Sequence, residues 1–147
     1  MAGSARISAH LNHVKDGDTL IVSTDSKTES VRLYGIDCPE LAQKPYGDQA
    51  RSRIRNLLAP YDTLKIVAVD RDRHGRLVAE VWVADGCINT QLLSEGYAVA
   101  YVRHLRDEFR DRYLSAEATA REARLNFWQQ SHPEMPWDYR RRHPRRT

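Results

Sequence analysis

Ser30-Val31-Arg32-Leu33-Tyr34-Gly35-Ile36-Asp37-Cys38-Pro39-Glu40 runs as an apolar, β-branched segment that a proline brings to an end. Ser30 to Ile36 reads as a strand. Pro39 has no amide to give to a ladder, so the strand closes at Cys38-Pro39. Two strands precede it. Ile7, Ala9 and Leu11 alternate with Ser8, His10 and Asn12, the period of a half-buried strand. Asp16-Gly17-Asp18 is a turn signal, and Thr19 to Thr24 is apolar and β-branched. Asp25-Ser26-Lys27 then marks the hairpin into Ser30.

A helix follows the proline. Ala50, Ile54, Leu57 and Leu58 fall on one helical face, and Pro60 stops it. Two further strands, Thr63–Val69 and Arg76–Ala84, flank the charged tip Asp70–Gly75. Ile88–Glu95 reads as a short helix with Gly96 beyond its end. A long helix over Arg106–Arg124 comes next, with Tyr113, Ala116 and Ala120 on one face and Asn126 as a left-handed stop. Five short strands with a helix between the third and fourth is the order of an OB-fold barrel. The expected fold is therefore α+β, mainly β: a five-stranded OB-fold barrel with three helices over residues 6–130. Pro133 and Pro136 open an irregular basic tail over 131–147.

At 147 residues the chain suits one domain. No apolar run approaches the roughly 18–20 residues that cross a bilayer, so no membrane partner is expected. No apolar leader precedes Ile7. The compartment stays open: secreted or periplasmic if a leader has been removed, cytoplasmic otherwise. Cys38 and Cys87 make neither a disulfide framework nor a zinc spacing. The net charge of +3 is uneven, because Arg140, Arg141, Arg142, Arg145 and Arg146 crowd the end. Without these five, 18 basic residues face 20 acidic ones. The body is thus no broad basic surface of the kind that coats DNA, and any polyanion site in it must be local. The tail reads either as a weak nucleic-acid holder or as a solvated end.

Four short stretches hold polar residues that strands do not need: Asp16-Gly17-Asp18-Thr19, Arg32, Asp37-Cys38-Pro39-Glu40 and Asp72–Arg76. Singly, each has a plain reading as a turn, a solvent-facing arginine or a surface charge. Together they match what phosphodiester hydrolysis requires. Asp18 and Asp37 can give oxygen ligands to a hard divalent cation. Glu40 is free to orient and deprotonate a water. Arg32 and Arg76 can fork onto phosphate oxygens, a contact that strengthens as charge builds.

The runs Val14–Leu20, Val31–Glu40, Asp72–Leu77, Ala84-Asp85-Gly86 with Asn89, and Leu125–Trp128 together resemble the thermonuclease (staphylococcal nuclease-like) family, in the family's order and across Ile7 to Trp128. The resemblance implies an OB-fold barrel and Ca²⁺-dependent cleavage of DNA and RNA with little sequence specificity. It also implies water attack that leaves 3′-phosphate ends. It implies that Asp18 and Asp37 hold the metal together with the backbone carbonyl of Cys38, and that Asp16 stands close by. Glu40 then matches the general base, and Arg32 and Arg76 the phosphate arginines. Tyr101 matches a tyrosine near the bound base, where stacking tolerates any sequence. His74 stands where a tyrosine touches a terminal phosphate, and Leu41–Tyr46 is shorter than the corresponding loop. Substrate is expected as DNA and RNA, with single strands preferred, and the chain is expected as a monomer. A silent OB-type module that binds single-stranded nucleic acid or protein is the alternative. An interaction domain built on the Arg-rich tail is a third. The presence of all five functional side chains argues against the silent module, and the third reading predicts that the tail alone retains binding.

Overall fold

The computed structural model describes residues 6–144. Arg145 and Arg146 of the basic end lie outside them. Five strands close on themselves: β1 (Arg6–Val14), β2 (Thr19–Ser23), β3 (Thr28–Leu33), β4 (Leu64–Arg71) and β5 (Leu77–Val83). β1 pairs antiparallel with β2 and β4, β2 with β3, and β4 with β5. A parallel pairing of β3 with β5, Val31 opposite Leu77 and Leu33 opposite Ala79, shuts the barrel. The expected OB-like barrel is therefore present. Leu20, Val22, Val31, Leu33, Leu64, Ile66, Ala79 and Val81 point inward and are buried. Full burial of a Leu, Ile or Val is worth about 1.5–3 kcal/mol.

The third strand is shorter than its apolar run suggests. It ends at Leu33, and Tyr34-Gly35 turns the chain off the barrel. Gly35 sits at φ +74, where a Cβ would also lie 2.7 Å from the Tyr113 ring. Ile36–Asp37 then pairs with Val99–Ala100 as a separate two-stranded ribbon. The ribbon lifts Asp37 clear of the sheet.

Among the described residues four α-helices accompany the barrel, one more than expected: α1 (Tyr46–Leu58), α2 (Ile88–Ser94), α3 (Asp107–Ala123) and α4 (Pro136–Arg142). α1 buries Ala50, Ile54 and Leu58 along one face. α3 buries Tyr113, Glu117 and Ala120, while Ala116 is only half buried. The Glu117 carboxylate accepts from the Ala100 amide at 2.7 Å and so ties α3 to the ribbon. Arg124 at φ 54 takes the left-handed cap expected of Asn126, which follows at φ 48. α4 replaces irregular chain. Pro136 occupies its first turn beside Asp138, and Arg140, Arg141 and Arg142 close its last, the arrangement a helix dipole favours. Among the described residues no helix is long and apolar enough to cross a membrane. Both cysteines are free and buried.

Asn89, wholly buried on α2, joins the parts. Its Oδ1 accepts from the Val81 amide at 3.0 Å. Its Nδ2 donates to the carbonyls of Tyr34 (3.0 Å) and Ala79 (3.1 Å). Asn89→Ala strands these groups away from water. The expected loss is about 3 kcal/mol in urea unfolding. A loss under about 1 kcal/mol would contradict the clamp.

Candidate active site

Asp18 stands immediately before β2, Arg32 is near the end of β3, Asp37 is on the ribbon, and Glu40 is in the loop after it. Thr19 and Arg32 are cross-strand partners, which sets Asp18 beside Arg32. Gly17 lets the two acidic segments meet. A Cβ there would fall 2.7 Å from the Cβ of Cys38. The Cys38 amide donates to Asp18 Oδ2 at 3.3 Å, and the Cys38 thiol donates to the Gly17 carbonyl at 2.7 Å. The result is a cleft of about 250 Å³ lined by Asp16, Asp18, Cys38, Glu40 and Tyr139 among others.

Arg32 sits between the acids. Its Nη2 lies 3.6 Å from Asp18 Oδ2 and 3.9 Å from Asp37 Oδ1, and its Nη1 donates to the Leu33 carbonyl at 2.7 Å. The Asp37 side chain is 1% exposed and that of Arg32 15%. Burial opposes ionisation of Asp18, yet Arg32, Asp16 and the Cys38 amide together hold its carboxyl below the ordinary range. Burial, reinforced by Asp18, pushes Asp16 up to about 6. Burial likewise pushes Asp37 up, with a fork from Arg140 partly offsetting it and Asp18 adding to it. Crowded carboxylates of this kind call for a cation.

Arg76 precedes β5 and is held by Asp72. Asp72 Oδ1 accepts from the amides of His74 and Arg76, and Oδ2 accepts from Arg76 Nε at 2.7 Å. Arg76 Nη1 reaches Thr19 Oγ1 at 3.4 Å, next to Asp18. The structure thus gathers Asp18, Arg32, Asp37 and Glu40 and brings Arg76 to their edge. Asp72, read in the sequence only as part of a charged tip, positions that arginine. His74 is exposed on the tip between β4 and β5, and among the described residues no hydrogen bond or ion pair joins its ring to the cleft. Tyr101 follows the ribbon strand Val99–Ala100 and does not line the cleft; Trp137 stacks on it with centroids 5.3 Å apart and planes within 9°.

Among the described residues no three His, Cys, Asp or Glu side chains form a ready metal cage. The donors that do converge are carboxylate oxygens, and the sulfur is turned toward Gly17. That set suits a hard ion and not a thiophilic one. A cation does occupy it. Arg140 of α4 donates through Nη1 to Asp37 Oδ1 and Glu40 Oε2, both at 3.1 Å, and through Nη2 to Asp37 Oδ2 at 2.6 Å.

Comparison with known proteins places the chain in a family. Residues 30–130 match the family described as "Staphylococcal nuclease homologue". The chain is 33% identical over 125 residues to a thermonuclease of Staphylococcus intermedius, covering 81% of this chain and 74% of that one. It is 31% identical over 146 residues to protein ParB of Escherichia coli, covering 93% and 81%. An uncharacterized endonuclease of Escherichia coli O157:H7 is 30% identical over 139 residues, covering 94% and 88%. With the family match over residues 30–130 and relatives 30–33% identical over most of its length, this chain belongs to the staphylococcal nuclease homologues.

Proposed function

We propose that the cleft hydrolyses phosphodiester bonds of DNA and RNA with a hard divalent cation, Ca²⁺ by preference. Membership of the family carries the coarse statement, that the chain is a nuclease acting on nucleic acid. The finer reading rests above all on Arg32 standing within 4 Å of both Asp18 and Asp37, with Glu40 bound to the same guanidinium as Asp37. Asp18, Asp37 and the Cys38 carbonyl would hold the ion. When bound, it would draw charge from the phosphate and favour attack on phosphorus.

The remaining work falls to side chains. Arg32 and Arg76 grip non-bridging phosphate oxygens in forked contacts that tighten as the pentacoordinate centre gains charge. Glu40 takes a proton from the attacking water. The new P–O bond forms as the P–O5′ bond breaks and the departing O5′ takes a proton from solvent, giving a 3′-phosphate and a 5′-hydroxyl. Tyr101 offers a ring to an unpaired base, which favours single strands and gives little sequence preference. Every side chain comes from one chain, so a monomer suffices.

Digestion of a single-stranded oligonucleotide in H₂¹⁸O with Ca²⁺ tests this reading. The expected products are 3′-phosphates carrying one ¹⁸O and 5′-hydroxyls, read by mass spectrometry. Products with 5′-phosphate would contradict the roles of Glu40 and the two arginines. Binding without any cut would leave a silent OB-type module in place of the nuclease.

A further inference from the structure

We propose that α4 is an internal plug of the cleft, with Arg140 held where the divalent cation binds and Trp137 held on the ring that receives a base. The plug rests on the metal-dependent reading of the cleft and concerns how that site is opened. Both oxygens of Asp37 accept from Arg140, and Glu40 Oε2 accepts from it too. An Asp37 forked in this way has a guanidinium on both of its oxygens, and a Glu40 so paired has one oxygen held in an ion pair. At the other end of the same helix Trp137 lies parallel to Tyr101, which also carries His104 at 4.4 Å and 15°. Tyr139 lines the cleft between these two points. One seven-residue element therefore covers both the carboxylates and the aromatic platform.

Its attachment is specific and light. Gln43 accepts from the Glu40 amide at 2.8 Å and donates to the Glu134 carbonyl at 3.0 Å, which ties the approach to α4 to the loop that carries Glu40. Arg142 closes back on Glu134, Nη2 to Oε1 at 2.8 Å. Yet only Pro136 of α4 is fully buried, and Arg140 remains 37% exposed. A helix this short is not stable in isolation. It stays because the acids need a cation. A divalent ion meets that need with twice the charge and releases the helix.

The test is calorimetric titration of Ca²⁺, Mg²⁺ and Mn²⁺ into the wild type and Arg140→Ala, with hydrogen exchange of residues 136–143 followed in the wild type. The expected result is at least about tenfold tighter Ca²⁺ binding by the variant, since a blocked site binds in proportion to its open fraction. Ca²⁺ alone is also expected to speed exchange at the Tyr139 and His143 amides, which α4 now protects. Equal or weaker affinity in Arg140→Ala overturns the plug while leaving the metal site standing. So does exchange that is unchanged or slowed by Ca²⁺. Binding of Ca²⁺, Mg²⁺ and Mn²⁺ by neither protein overturns the metal reading, and the plug with it.

Discussion

Arg32→Ala is expected to cleave single-stranded DNA about a thousandfold more slowly than the wild type at saturating Ca²⁺, and Arg32→Lys about a hundredfold more slowly. The side chain is only 15% exposed and lies within 4 Å of two carboxylates. Its direction is therefore set before substrate arrives, and a preset donor gains most when charge develops beside it. Lysine keeps the charge but loses the planar fork, so it recovers part of the rate. The loss belongs in kcat, with KM moving a few-fold, because the contact strengthens in the transition state. Burial also makes Arg32 the counter-charge of Asp18 and Asp37. Circular dichroism of each variant separates a slow enzyme from an unfolded one. A folded Arg32→Ala with kcat within about tenfold of wild type would remove Arg32 from the chemistry.

Glu40→Gln is expected to lower kcat by about three orders of magnitude, as loss of a positioned general base does. Its affinity for Ca²⁺ is expected to stay within a few-fold of wild type. Glu40 is exposed enough to meet solvent (32% for its side chain), whereas Asp37 is sealed at 1%. That contrast supports the proposed roles, the proton to the first and the ion to the second. A variant that loses Ca²⁺ binding together with activity would make Glu40 a ligand instead of a base.

The cluster of Asp18, Arg32, Asp37 and Glu40 was legible in the sequence because each acts from a strand end or the loop just beyond it. Strand pairing alone brings Thr19 opposite Arg32. The barrel order was legible for a similar reason, since alternating apolar residues mark its strands. The turn at Tyr34-Gly35 was hidden inside an apolar run, because nothing in Val31–Ile36 changes polarity where the chain leaves the barrel. Arg140 was hidden differently. It meets Asp37 across 103 residues of sequence, from a helix too short for periodicity to reveal. Its neighbours Arg141 and Arg142 gave it the look of a solvated basic end. Pro136 followed by Trp137 and Asp138 carried the signal of a helix start, but Pro133 and Pro136 together suggested irregular chain.

A metal-dependent cleft stands or falls on cleavage of a labelled single-stranded oligonucleotide by the wild type, with Ca²⁺ and again with excess EDTA. Rapid cutting is expected with the ion and none after chelation, with activity restored on adding Ca²⁺ back. Cutting that persists undiminished in EDTA would contradict the assignment of Asp18 and Asp37 to a metal.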